Sequence, residues 1–455
     1  MPRLSDRGHV YALFAIVVLV TALGSLTQTV MNSMLVGVEA DFGVTPAVGQ
    51  WLTTSYMLVM GVTVPVVTWL SQRMPVRRLV FLALGIFLAG AVLDLVAPNF
   101  AVLLAGRVLQ AVAAGITLPL LQSIAMTRFP KGQNATAMGV AGIAMGFAPN
   151  IGPLIGGALV DSWGWRSFYL ILLVVLALLA LATALLVRPE AAPARDARLD
   201  VASLALSTLG FGGLLLGFSQ ASSMGAAHPL VWSSVAVGAV CLVLFVRRER
   251  RVDDPLIDLR IFGSARFRAA FASMNLLFAS FMGITLIVPL FVQGAQGGTA
   301  LEAGIVFIPA TVLAFVLNPL SGYLTDRIGV RPVTCTAAAF LAVGSVSMAF
   351  MDASTPLWAM TALQAVRGVG VSALIGPMTS WGLSELPRDI VMDGSAFFAT
   401  VRQACASLGT AAMVFLITAA GAAVGADPSV GYHLAFGLSG VLAVGVLAVT
   451  VARVR

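Results

Sequence analysis

The sequence predicts an all-helical integral membrane protein of fourteen spans, arranged as two six-helix bundles with a helix pair between them. Three observations carry that prediction. Of 455 residues, 59% are hydrophobic and only 10% charged, with a mean hydropathy of +0.99; a soluble chain of this length carries far more surface charge. The apolar residues fall into runs long enough to cross about 30 Å of hydrocarbon, roughly 20 residues each. One polar turn also recurs. It is Gly322-Tyr-Leu-Thr-Asp326-Arg327-Ile-Gly329-Val-Arg331-Pro332, with a weathered copy at Thr68-Trp-Leu70-Ser-Gln72-Arg73-Met-Pro75-Val-Arg77-Arg78. Two copies roughly half a chain apart indicate a duplicated bundle.

In order, the first six spans lie near 10–36, 47–70, 79–97, 101–124, 135–160 and 167–187. A Pro/Ala/Arg-rich linker, Arg188 to Asp200, leads to spans at 201–221 and 229–246. The most charged segment follows, 247–268. Six further spans lie near 269–293, 299–323, 332–351, 356–380, 394–422 and 433–452. The expected organisation is a first bundle over 1–190, linker and extra pair over 191–246, a charged cytoplasmic loop over 247–268 and a second bundle over 269–455. With the N-terminus inside, the loop arginines gather on the cytoplasmic side and only Arg166 falls outside, so both termini are expected in the cytoplasm.

The net charge of +7 does not point to nucleic acid, because the chain holds a single lysine, Lys131, and its arginines sit in short loops. Cys241, Cys335 and Cys405 have spacings that give neither a disulfide framework nor a metal site. The first apolar run follows Arg3 and Arg7 as in a signal peptide, but it is too long and lacks a clear cleavage site, so it reads as a retained helix. No nucleophile–base pair, metal cluster or phosphate loop is present. The sequence therefore points away from an enzyme and calls for no cofactor.

Several strings carry a resemblance. Gly322 to Pro332 resembles the helix 2–3 loop signature of the major facilitator superfamily, and the six-two-six arrangement resembles its EmrB/QacA-type drug:proton antiporters. Gln50-Trp51 with Tyr56 and Leu58 resembles the start of the family's second helix, and Leu104-Ala-Gly-Arg107-Val-Leu-Gln110 its fourth-helix arginine motif. Gly146-Phe-Ala-Pro149-Asn-Ile-Gly152-Pro153-Leu-Ile-Gly156-Gly157 resembles the fifth-helix antiporter motif. Trp163 to Tyr169, Pro255 to Leu259 and Val401-Arg402-Gln403 fall where the family has similar strings. The resemblance implies a multidrug exporter of amphipathic small molecules, working by alternating access and proton antiport in a bacterial inner (plasma) membrane. Its partners would be the substrate, the proton and the bilayer, with no nucleic acid; it would act as a monomer or with accessory export proteins. Two other readings stay open: a proton-independent exporter or facilitator of a specific, anionic metabolite, and a receptor that binds without translocating.

The residues have readings of their own. Glycines at 142, 146, 152, 156 and 157 leave grooves for a close helix, while Pro149 and Pro153 remove backbone donors and kink the span. Gly146, Pro149, Gly152, Pro153, Gly156 and Gly157 thus combine packing with the conformational role that the resemblance implies. Gly322, Asp326, Arg327, Gly329 and Arg331 are the gating candidates. The resemblance makes them a charge relay that locks the cytoplasmic side; the plainer alternative is a turn shaped by Gly329 and Asp326. In the first copy the acid is Gln72 and the second glycine Pro75, which weakens any ionic lock there.

Arg107 lies two turns into its span, where an arginine needs a partner or a watery cavity. Arg367 holds the related place in the second half, and Arg402, nearer the cytoplasmic end, can instead snorkel. Leu26 to Asn32 aligns with a family string whose second residue is an aspartate tied to proton coupling. Here it is Thr27, and neither Gln28 nor Asn32 titrates. Asp94 is the one acid clearly inside a span, with Asp161 and Glu302 at outer ends. One turn from the interface, its carboxylate can reach headgroup water; facing Arg107 across a short loop, it can instead become the proton-coupling group. By depth, the substrate cavity is expected among Gln28, Asn32, Tyr56, Met60, Arg107, Gln110, Asn275, Phe278, Asn318, Gln364, Arg367 and Phe397. Met and Phe in quantity suit an adaptable apolar pocket and are equally what any bundle core holds.

Overall fold

A computed structural model describes residues 6–130, 132–189, 200–224, 228–252, 255–424 and 428–454. Lys131, most of the 188–200 linker and its arginines at 195 and 198 lie outside the described residues. Regular structure among the described residues is helical, as hydrocarbon demands: only a helix satisfies each backbone N–H and C=O within one segment.

The first six rods are α1 (Asp6–Phe42), α2 (Trp51–Arg73), α3 (Val76–Leu95), α4 (Phe100–Thr127), a composite α5, and α6 (Arg166–Leu186). α5 runs as Asn134–Gly142, a π-helical turn Ile143–Phe147, and Ala148–Trp163. α7 (Val201–Met224) and α8 (Pro229–Glu249) form the extra pair. The last six are α9 (Ala265–Gly294), α10 (Ile308–Ile328), α11 (Val330–Met348), α12 (Leu357–Leu383), α13 (Val391–Val424) and α14 (Pro428–Arg453). Thirteen of these are individually long and apolar enough to span a membrane; α5 reaches spanning length only as a composite. The charged segment expected over 247–268 is shorter in the structure, because α8 continues to Glu249 and α9 begins at Ala265, with a 3-10 turn at Leu259–Gly263 between them.

The two sets of six repeat one packing scheme. α3 crosses α4 where Gly90 meets the backbone of Gly106, and α11 crosses α12 where Gly344 meets the backbone of Arg367. The α7–α8 pair crosses backbone to backbone at Gly213 and Gly238, with Asp200 and Arg248 paired at 2.7 Å at its base. It leans on α2, where Gly61 receives Leu215, and on α13, where Phe211 meets Phe397. Arg73, Arg327 and Arg453 lie in the last turns of α2, α10 and α14, and Arg331 in the first turn of α11; these are the arginine-rich ends.

A Cβ on Gly238 would lie 2.7 Å from the Leu214 nitrogen and 2.8 Å from the Gly210 carbonyl. Gly238→Leu is therefore expected to force α7 and α8 apart at a cost of about 1–3 kcal/mol of overpacking. Thermal unfolding in detergent should show a lowered midpoint, and an unchanged one would mean the pair does not cross there.

Candidate functional site

α5 supplies the joint between the two sets of helices. Its first turn presents free backbone N–H groups, as every helix start does. Those donors find a carboxylate from the other half of the chain. Ala135 N–H donates to Asp326 Oδ1 at 3.3 Å, Thr136 N–H to Oδ2 at 2.7 Å, and the Thr136 hydroxyl to Oδ2 at 2.6 Å. The partner of Asp326 is thus a helix N-terminus and not an arginine. Arg327 lies over the Tyr323 ring and Arg331 is exposed. Gly329, at φ +94°, ends α10 in a conformation that suits glycine.

Absent side chains make this approach possible. A Cβ on Gly322 would collide with the Ala135 carbonyl, one on Gly139 with the Asn318 carbonyl, and one on Gly376 would sit 2.8 Å from Gly139 Cα. Past the π-turn, α5 changes partner. Gly152 faces Thr29 and Gly156 faces Val30, both on α1. The Asn150 side chain donates to the Gly146 carbonyl at 2.9 Å, where the prolines have thinned the helix ladder. The backbone of Pro153 and Gly157 continues the helix; their side-chain surroundings, like those of Asp161, lie outside the described residues.

Inside the first six helices, Arg107 is fully buried on α4. Its Nη1 donates to the Thr27 carbonyl at 3.0 Å and to Gln110 Oε1 at 3.2 Å, and its Nε reaches the Leu52 carbonyl at 3.5 Å. The guanidinium stands 4.4 Å over the Tyr56 ring, whose hydroxyl donates to the Gly24 carbonyl at 2.8 Å. One side chain therefore ties α1, α2 and α4 together. Asp94 does not reach the surface, correcting the interfacial expectation: its exposure is 0%. The close α3–α4 crossing encloses it.

In the second half, Arg367 is equally buried. Its Nη2 donates to the Ser280 hydroxyl at 3.3 Å, and Ser280 pairs with Ser439 at 2.7 Å. Arg367 and Gln364 border a small cavity of about 10 Å3, lined also by Gly146, Asn150, Phe281 and Phe307. That volume is close to the room a single water needs. Arg402 is buried, not snorkelling, with its guanidinium 4.5 Å over the Phe278 ring. A larger open groove, about 470 Å3, lies away from this chemistry, between the arginine-rich ends of α9 and α14.

The remaining candidates disperse. Asn318 lies in the α5–α10 seam, beside Gly142. Gln28 is half-buried and Asn32 exposed, accepting from the Thr53 hydroxyl at 3.3 Å. Met60 packs with Tyr56, Ala111 and Ala114. Asn275 donates to its own helix at Phe271, and Phe397 belongs to an aromatic cluster with Phe211, Phe262 and Phe271. Sequence reasoning missed Asp393. The helix begins three residues before the expected 394, so this acid lies in the buried first turn of α13. An acid abutting a long apolar run was the available signal. The string Pro255 to Leu259, singled out in the sequence, belongs to a strap where the Thr68 hydroxyl of α2 donates to the Leu256 carbonyl at 2.6 Å and Ile257 N–H to Glu249 at 3.0 Å, contacts that the sequence did not indicate.

Comparison with known proteins accords with this geometry. Residues 17–410 match the family model described as Major Facilitator Superfamily. The uncharacterized MFS-type transporter YcnB of Bacillus subtilis is 35% identical over 86% of this chain and 83% of its own length. The lincomycin resistance protein LmrB of Listeria monocytogenes is 30% identical over 87% of this chain and 84% of its own. Among solved structures, the proton:xylose symporter XylE superposes with a TM-score of 0.65 at 12% identity, covering 99% of this chain and 97% of the symporter, a likeness of fold.

Charge-assisted hydrogen bonds of the Asp326 kind are worth about 1.5–3 kcal/mol each, and a factor of ten in population is about 1.4 kcal/mol. Asp326→Asn should therefore open the seam roughly tenfold more often and lower transport, with near-normal expression. A cysteine placed at the buried Ser321 would report the opening through faster maleimide labelling. Wild-type labelling and transport would reduce Asp326 to a former of the turn.

Proposed function

The chain belongs to the major facilitator superfamily, and from that premise we propose that it exports amphipathic small molecules by alternating access, as a proton antiporter. The proposed setting is a bacterial plasma membrane, with the arginine-rich end and both termini in the cytoplasm. The first and last six helices, residues 1–190 and 269–455, act as the two moving units, with the α7–α8 pair of 191–246 riding between them.

The observation that carries this reading is the change of partner along α5. Its first half packs on α10 and α12 of the opposite unit, and its second half packs on α1 of its own. Contacts between the units also run from α2 and α4 to α13, while the main contacts of α1 and α9 lie within their own halves. A helix whose first half holds the opposite unit and whose second half holds its own suits one limb of an alternating-access cycle. The orientation makes this the outward-facing limb, with the Asp326 contact closing the cytoplasmic side. The name of the LmrB relative supports an antibiotic-like, amphipathic cargo.

One observation favours a second reading, export of an anionic compound. Arg367 borders the cavity between the units, and its Nε and Nη1 have no hydrogen-bond partner. A buried guanidinium left so is a ready receptor for a carboxylate or phosphate.

Everted membrane vesicles with an acidic lumen distinguish these readings, using ethidium, lincomycin and an anionic dye as probes. The proposal expects uptake of ethidium or lincomycin that stops when the gradient is collapsed. Uptake of the anionic dye alone would favour the second reading, gradient-insensitive uptake would remove proton antiport, and binding without uptake would make the chain a receptor.

A further inference from the structure

We propose that Asp94 of α3 is the proton-binding residue of the transport cycle, standing in for the acid that position 27 lacks. The inference rests on the antiport reading above and names the group that titrates within it.

The site is built by the backbone. Gly106 leaves the space that the carboxyl fills, since a Cβ there would collide with Asp94 Oδ1, and Gly90 brings α3 onto α4 so closely that its own Cβ would lie 2.7 Å from the Gly106 carbonyl. Asp94 is therefore held in a slot in the last turn of α3, away from water. Neither of its carboxyl oxygens accepts a well-formed hydrogen bond, although the Gln110 and Tyr169 side chains stand close enough to donate. In the same pocket, Arg107 Nη2 and Gln110 Nε2 have no acceptor, and the Thr27 hydroxyl has no partner. An acid whose nearby donors are not aligned to it thus stands among donors without acceptors.

That mismatch is what two alternating arrangements would leave behind. An ionised carboxylate stripped of water and donors costs several kcal/mol, so the arrangement seen fits the protonated acid. With the acid neutral, Arg107 gives its hydrogen bonds to Gln110 and to the Thr27 carbonyl of α1. When the carboxyl O–H bond breaks and the proton passes to water, the carboxylate left behind offers acceptors to Arg107 Nη2 and Gln110 Nε2. Arg107 then turns from α1 toward α3. Its grip on α1 is the Thr27 bond together with the Tyr56 ring, whose hydroxyl holds Gly24. α1 in turn carries the outer half of α5 through Thr29 and Val30. Proton release is thereby linked to the helix that changes partner between the units. In export, the proton is taken up when the α3–α4 slot opens to outer water, is held while this enclosed conformation persists, and is given up to cytoplasmic water in the opposite one.

The charged and titratable groups that face Asp94 are Arg107 of α4, Tyr56 of α2 and Tyr169 of α6; α1 contributes Thr27 and no titratable group. Arg166, at the start of α6, pairs with Asp41 at 3.2 Å and donates to the Ala97 carbonyl at 3.3 Å. Two other acids are buried in spanning helices: Glu249, the last residue of α8, accepts from Ile257 N–H at 3.0 Å, and Asp393 sits in the first turn of α13, within the electrostatic reach of Asp258 and Asp389.

The test uses the full chain in proteoliposomes, with ethidium or lincomycin, whichever the wild type carries, and two assays: transport driven by an imposed pH gradient, and gradient-free exchange of labelled for unlabelled compound. Asp94→Asn, which fixes the neutral form, is expected to lose the gradient's stimulation and keep exchange. Asp94→Glu, which keeps an acid on a longer stem, is expected to keep the stimulation with a displaced pH profile. Asp393→Asn is expected to retain the stimulation. Asp94→Asn that responds to the gradient like the wild type overturns the assignment, and loss of stimulation in Asp393→Asn alone transfers it to that residue. If Asp94→Asn does not fold, a wild-type pH profile in Asp94→Glu overturns it equally. A wild type that ignores the gradient sinks the antiport reading itself, a separate outcome.

Discussion

The carboxylate of Asp326 on the first turn of α5 is the contact from which the arrangement of the two halves follows. A helix start has donors that must be satisfied, and in a membrane protein water is not always there to do it. This helix borrows its cap from the opposite half of the chain. Satisfying α5 and closing the seam are consequently one event, and the helix dipole adds to the attraction. The cap is reachable because Gly139, Gly322 and Gly376 let three helices meet backbone to backbone.

The same helix cannot hold both partners along its whole length. Its π-turn and prolines break the ladder near the middle, so the outer half follows α1 while the inner half follows α10 and α12. π-turns inside α-helices recur at functional positions because they permit such local slippage. On the proposed reading, breaking the Asp326 cap frees the inner half, and whatever alters the hold on α1 acts on the outer half.

The duplicated arginines show how one inherited scheme is spent in two ways. Arg107 and Arg367 occupy related places beside the glycine crossings of α3–α4 and α11–α12. Arg107 is met by carbonyls, a glutamine and an aromatic face, and has an acid near it. Arg367 meets a serine pair, keeps two nitrogens unpartnered and borders the cavity between the halves. Buried guanidinium is costly in hydrocarbon, so its retention in both halves, with different surroundings, fits different duties.

The sequence by itself determined the all-helical class, the order of the helical runs and the polar turn that ends at Gly329. Each depends on short-range physics: apolar length against bilayer thickness, and glycine at a bend. Only the tertiary structure decided what the polar residues meet. Asp326 looks like an arginine partner in the string Asp326-Arg327 and turns out to cap a helix start nearly two hundred positions away in the chain. Asp94 and Arg402 read as able to reach headgroup water from their distance to a helix end, yet each is enclosed by helices whose contact depends on distant small residues or rings. Depth along a helix is written in sequence spacing; the direction a side chain faces is set by which neighbouring helix packs there, and that is a property of the assembled bundle.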